Sequence, residues 1–248
     1  MIKLSERLTT VAGFVEQDDR VADIGSDHGH LPIYLYQNGI SRQIILSDLN
    51  DGPLEKARKN LAALAPDFQP DIRQGDGLAP LQPGEVDTVV MAGMGGLLIC
   101  DILAADPEKT KSFRRFVLEP ENAEDKVRAF LFDKGFAILA EKLARDKERI
   151  YQVLVAAPNP LEGLTLEERA AVRSRFEEDM LFEISPLLVF QNDPLLPELI
   201  AGKIRQEEFI LAETAEQDTE RSRERCRQAE ERLAKLRILY DQVTRRKD

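Results

Sequence analysis

Short β-branched apolar runs alternate with helical patterns over residues 1–157. The runs at 20–24, 43–47, 87–91, 115–119, 136–143 and 150–156 are mostly apolar, and 70–74, around Ile72, is a further strand candidate. That pattern predicts strands covered by helices on both faces. Helical patterns lie between them, as at 122–134 and at 52–64. In the latter, Leu54, Ala57, Leu61 and Leu64 recur at helical spacing and Pro53 suits the first turn. A leading helix carries Leu4, Leu8, Val11 and Val15 on one face, with Arg7 off that stripe. Strand–helix alternation implies a mostly parallel α/β sheet. The last two strands are joined by 144–149, too short for a helical crossover, so they should form an antiparallel hairpin at the sheet edge.

After Pro158, Asn159 and Pro160 the pattern changes, which predicts a domain boundary between 157 and 158. The remainder reads as charged helices, with one strand signal at 187–190 and prolines at 186, 194 and 197. The stretch 198–215 carries Leu199, Ile200, Ile204, Ile210 and Leu211; the stretch 218–243 carries Leu233, Leu236, Ile238, Leu239 and Val243. Two such helices joined by a short turn should pack as an antiparallel pair.

Composition narrows the class. Hydrophobic residues are 43% of the 248, enough for a full core. The net charge of -11 excludes a protein that is basic all round, though not one with a local basic patch. The apolar stretch 88–100 is too short to span a bilayer, and the N-terminus has no apolar signal-peptide region. Two distant cysteines and two histidines offer no disulfide framework and no zinc spacing. The expectation is a cytoplasmic, monomeric protein without a membrane segment or a metal.

The chemistry gathers at predicted strand ends. The first strand runs into Asp23-Ile24-Gly25-Ser26-Asp27-His28-Gly29-His30, an acidic residue and a glycine turn before a helix. A dinucleotide fingerprint would need glycine where Asp27 stands, and a Walker loop would need G-K-[ST]. An acidic loop suits a cationic cofactor without phosphates, for which S-adenosylmethionine (SAM) is the obvious candidate. Asp48 follows the second strand, 23 residues after Gly25, where ribose hydroxyls are held in such folds. Asp76 follows the third, placed to accept from an adenine amino group. The fourth ends in Ala92-Gly93-Met94-Gly95-Gly96, which permits a tight loop against a ligand.

DIGSDHGHLP, SDLNDGPLEKA, QGDGL and AGMGG, in this order and spacing, resemble the TrmK-like bacterial tRNA methyltransferases. The resemblance implies a Rossmann-like class I methyltransferase sheet with a helical coiled-coil appendage. It also implies SAM-dependent methylation of N1 of the adenine at position 22 of tRNA. Motifs and resemblance together assign the cofactor to Asp23, Gly25, Ser26, His28, Asp48, Leu49, Asp76, Gly77, Ala92, Gly93, Met94 and Gly95. They assign RNA to Arg7, His30, Gly96, Pro120 and Asn122, and the chemistry to Asp27. After the fifth strand, Glu119 and Glu121 stand where the family typically has amides, and a carboxylate only accepts where an amide also donates.

Asp27 is the candidate for stabilising positive charge on the methylated purine, or else a cap for the following helix. Basic residues concentrate at 221–247, where Arg221, Arg223, Arg225, Arg227, Arg232, Lys235, Arg237, Arg245, Arg246 and Lys247 face four acids. Such a stripe suits RNA phosphates, or ion pairs with the acidic helix before it. Lys109, Lys111, Arg114 and Arg115 form a second, smaller cluster. Two other classes stay open: an RNA-binding scaffold with a vestigial SAM pocket, and a Rossmann oxidoreductase, which lacks its glycine pattern and any Tyr-x-x-x-Lys.

Overall fold

The computed structural model describes residues 1–158, 180–214 and 219–245. The chain divides into two compact units, Met1–Thr165 and Leu166–Asp248.

The first unit is built on a seven-stranded sheet of order β3-β2-β1-β4-β5-β7-β6. Its strands are β1 Val21–Ile24, β2 Ile44–Asp48, β3 Asp71–Gln74, β4 Thr88–Met94, β5 Arg115–Pro120, β6 Phe136–Asp146 and β7 Arg149–Pro158. Strands β1 to β5 pair in parallel, and β7 runs antiparallel to both β5 and β6. Helices cover both faces, which is why the strand runs are apolar at successive positions. On one face Ala22, Ile24, Val89, Met91, Phe116 and Leu118 pack with Ile99 and Leu103 of α4 (Gly96–Ala105) and with Val127 and Leu131 of α6 (Glu124–Asp133). On the other, Val21, Ile44, Leu46, Val90 and Val117 meet three helices: α1 (Glu6–Ala12), α2 (His30–Gln37) and α3 (Asp51–Leu64). The short α5 (Pro107–Lys111) is capped by Asp106, whose side chain accepts from the Lys109 amide.

All seven expected strands form, with their ends moved. The hairpin connection shrinks from the expected 144–149 to Lys147 and Glu148, because pairing continues through Arg145↔Ile150 and Asp146↔Arg149. Charged residues belong to this strand end, and a search for apolar runs passes over them. Arg128 of α6 anchors the hairpin: its Nε donates to Glu141 Oε1 at 2.8 Å and its guanidinium to Gln152 Oε1 at 2.6 Å, all three buried.

In the second unit the described helices are α7 (Met180–Glu183), α8 (Pro186–Phe190), α9 (Leu196–Thr214) and α10 (Glu220–Arg245). The expected strand at 187–190 is instead α8. Ser185 accepts from the Leu187 amide and Pro186 takes the first helical position, so cap and proline override the apolar run. Helices α9 and α10 pack antiparallel, with Ser222 Oγ donating to the Thr214 carbonyl at one end and Arg232 pairing with Glu207 further along. Leu196, Ile200, Leu233, Leu236 and Val243 are buried in this unit, whereas Ile238 is exposed. The charged stretch at 159–179 lies outside the described residues.

Candidate active site

The strand order sets the candidate residues in a row along the carboxyl edge of the sheet. From β3 to β5 the strand ends present Asp76, Asp48 and Leu49, Gly25 to Asp27, Gly93 to Gly95, and Glu119 to Asn122. Strand order reverses between β1 and β4, the switch point outside which open α/β sheets bind ligands. The loop after β1 is pinned sideways: the Gly25 amide donates to the Ser47 carbonyl at 2.8 Å. Gly25 has φ +76° and Gly29 φ +67°, both in the left-handed region. A Cβ on Gly29 would lie 3.3 Å from Ala57 and Leu46, so the turn packs directly onto α3 and β2.

Asp48 Oδ1 accepts from the Asn50 amide at 2.8 Å, which holds the carboxylate at the tip of β2. Leu49 is exposed beside it. The Gly75 amide donates to the Asp48 carbonyl, tying β3's end to β2's, and Asp76 next to it is exposed. Gly77 serves packing: a Cβ there would meet Ile102 at 2.8 Å.

Asp23 is buried, and burial pushes its carboxyl up to about 6, with the Asp48 charge adding to the shift. The nearby Ser26 hydroxyl opposes the shift, although it makes no hydrogen bond of good geometry and is itself buried without a partner. A buried carboxyl with no cation beside it, a buried unsatisfied hydroxyl and two further acids on adjacent strand ends suit a cationic ligand rich in donors. SAM fits that donor and charge set.

Asp27 does not cap α2. Gly29 takes the cap position, and no side chain bonds there. Asp27 is exposed and held from two sides: its Oδ2 lies 3.0 Å from His28 Nε2 and its Oδ1 3.5 Å from Lys56 Nζ. His28 and His30 stack with ring centroids 5.4 Å apart. Burial and the neighbouring His28 hold His30 below the usual histidine range.

Beyond Ala92, β4 carries a bulge at Gly93, whose φ is +76°. Glu119, fully buried on β5, fastens that bulge. Its Oε2 accepts from the Gly93 amide at 2.8 Å and from Arg7 at 2.6 Å, while Oε1 has no partner. Burial pushes the Glu119 carboxyl up, and the Arg7 charge pulls it back. Arg7 is therefore not the uncommitted arginine its position off the α1 stripe suggests: it is ion-paired and lies over the Tyr151 ring at 5.1 Å. Met94 lines Gly25, and its carbonyl accepts from the Glu121 amide at 2.8 Å. Asn122 closes the site by capping α4, its carbonyl and Oδ1 accepting from the Gly96 amide at 3.1 and 3.3 Å. Pro120 is buried opposite Met94.

Residues 4–154 match the family described as methyltransferase domain. The chain belongs to that family. Within it, the chain is 28% identical over 97% of its length to the tRNA (adenine(22)-N(1))-methyltransferase of Bacillus subtilis (strain 168), covering 98% of that relative. The crystal structure of the B. subtilis m1A22 tRNA methyltransferase TrmK superposes with TM-score 0.81, over 97% of this chain and all of that one. A putative tRNA (m1A22) methyltransferase of Streptococcus pneumoniae in complex with S-adenosyl-L-methionine is 29% identical, TM-score 0.74, over 93% of this chain and all of that one.

The methyltransferase unit also holds residues that sequence reasoning passed over. Lys56 reaches Asp27 from α3, and Arg149 and Tyr151 rise beside Arg7 from the hairpin. The small basic cluster at 109–115 is largely neutralised: Arg114 pairs with Glu16 and Asp19, Arg115 with Glu16, and Lys111 with Glu108. In the second unit, the acids of α9 take Arg232 and Arg237, and Arg227 pairs with Glu224 on its own helix. Arg221, Arg223 and Arg225 are exposed, and Arg221 and Arg223 line a shallow groove with Arg227, Glu220 and Glu224. Arg221 and Arg225 make no ion pair among the described residues. No described helix is long and apolar enough to cross a membrane.

Proposed function

We propose that this chain is a SAM-dependent methyltransferase acting on N1 of an adenine in tRNA, the adenine at position 22. The observation that carries this reading is the row of acids on successive strand ends, with the Gly25 loop at the switch point. The near full-length match to m1A22 enzymes supports the substrate.

SAM supplies an electrophilic methyl group on a positively charged sulfur. Adenine N1 already carries a lone pair, so no strong base is required of the protein. Its task is to align the base and to stabilise positive charge as it gathers on the purine. Asp48 suits the ribose hydroxyls, Asp76 the adenine amino group, and Asp23 with Ser26 the cationic end. Asp27 can accept from the target's N6 amino group, and His28 and Lys56 keep its carboxylate in place until then. His30, Gly96, Pro120 and Asn122 belong to the surface that meets the base. Arg221, Arg223 and Arg225 belong to a helical arm that holds tRNA phosphates. The reading is of a monomeric, cytoplasmic enzyme that works without a metal, since methyl transfer to a free lone pair calls for none.

Calorimetry with SAM, NAD and NADP tests the cofactor half of the reading. Saturable binding of SAM alone is expected. Tight NAD or NADP binding would return the chain to the oxidoreductases, and no binding at all would leave a scaffold.

A further inference from the structure

Hairpin pairing carries β7 past the end of β5. The last residues of β5 paired with β7 are Leu118 with Leu154, while β7 goes on to Tyr151 opposite Ala144 and Arg149 opposite Asp146. With about 3.3 Å of rise per residue, Arg149 stands about 10 Å beyond Pro120, on the same edge as Gly93 and Glu119. There one aromatic ring carries two cations: the Arg7 guanidinium is 5.1 Å and that of Arg149 4.9 Å from the Tyr151 centroid.

The two cations are not equivalent. Arg7 is half-buried and its charge is matched by the buried Glu119 carboxylate. Arg149 is exposed and donates to the neutral Glu121 carbonyl. Among the described residues Arg149 makes no ion pair, although Glu121, Asp146 and Glu148 are close in the chain or across the hairpin. A guanidinium held over an aromatic ring, with one nitrogen on a backbone carbonyl, still has donors to offer a phosphate.

On the reading of tRNA as substrate, we propose that Arg149 binds an RNA backbone phosphate next to the target adenine. Tyr151 is the platform that fixes its guanidinium. Arg7, held by Glu119, positions that platform and is not itself a phosphate ligand. RNA reaching the Gly25 and Gly93 loops would pass this edge, where Arg149 is a cation without an ion pair among the described residues.

The test uses the full chain with Arg149→Gln, Arg149→Lys and Tyr151→Leu. Readouts are tRNA affinity across a salt series, SAM affinity by calorimetry, and melting temperature. Arg149→Gln should weaken tRNA binding about 3- to 10-fold near 0.1 M salt and flatten the log–log salt slope by about 0.7 to 0.9, one phosphate's worth. SAM affinity and melting temperature should not move. Arg149→Lys should keep the slope and lose part of the affinity, since the charge stays and the fork goes. Tyr151→Leu should likewise weaken binding at unchanged slope. Unchanged tRNA affinity and slope in Arg149→Gln would overturn the proposal while leaving methylation of tRNA intact. If that variant fails to melt cooperatively, wild-type affinity in both Arg149→Lys and Tyr151→Leu overturns it instead. A wild-type chain that binds SAM and ignores tRNA overturns the substrate reading as well.

Discussion

Asp48 and Asp76 sit on adjacent strand ends with different surroundings. Asp48 is half-buried and fixed by the Asn50 amide, whereas Asp76 is exposed. Asp48→Ala should therefore weaken SAM binding by about 1 to 3 kcal/mol, and Asp76→Ala by less, as read by calorimetry. Asp23 makes the same binding pH-dependent. Its carboxyl, raised to about 6, is neutral below that pH, and a cation binds better to the charged form. SAM affinity should fall as pH drops through about 6, by up to tenfold per unit. Asp23→Asn is the decisive variant: it should lose most of the pH dependence. At Asp27 the expectation is kinetic. Asp27→Asn should lower turnover far more than SAM or tRNA affinity; a loss of binding in proportion to rate would make Asp27 a binding residue.

The placing of these acids was readable from the sequence because each lies at or near the carboxyl end of a strand. Their partners were not. Lys56 lies a helix away from Asp27, and Glu119 is 112 residues from Arg7. Only the sheet order brings either pair together.

Among the elements, the join of α4 with the β5–α6 loop is the tightest near the site. A Cβ on Gly96 would lie 2.5 Å from the Asn122 carbonyl and 2.8 Å from that of Ala123, both backbone atoms that cannot swing aside. Gly96→Ala should cost about 2 to 4 kcal/mol, seen as a lowered melting temperature, and should weaken SAM binding by moving the Gly93 to Gly95 loop. An unchanged melting curve would mean that the loop yields freely. The glycine run was legible as a close-approach loop, but the neighbour it approaches was not. The strands were legible where apolar residues alternate with helices. The hairpin tip escaped because Arg145, Asp146 and Arg149 pair as strand residues in spite of their charge, and α8 escaped because Ser185 and Pro186 outweigh four apolar residues.

At the scale of the molecule, a chain of net charge -11 has to hold a polyanion, so where its exposed arginines cluster matters. Two acids of α9, Glu207 and Glu208, pair with Arg232 and Arg237, and Arg221 and Arg225 make no ion pair among the described residues. Replacing Arg221, Arg223 and Arg225 together by Gln should flatten the salt slope of tRNA binding by about 2 to 3 units with little change in melting temperature. A fall in melting temperature at constant slope would make them structural. The account as a whole stands on one measurement. Purified chain is incubated with unmodified tRNA and methyl-labelled SAM, and the product is mapped by nucleoside analysis and primer extension. The account predicts label in 1-methyladenosine, with extension stopping at position 22 and nowhere else. Label in another nucleoside or position, or SAM bound tightly with no label transferred to any tRNA, would contradict it.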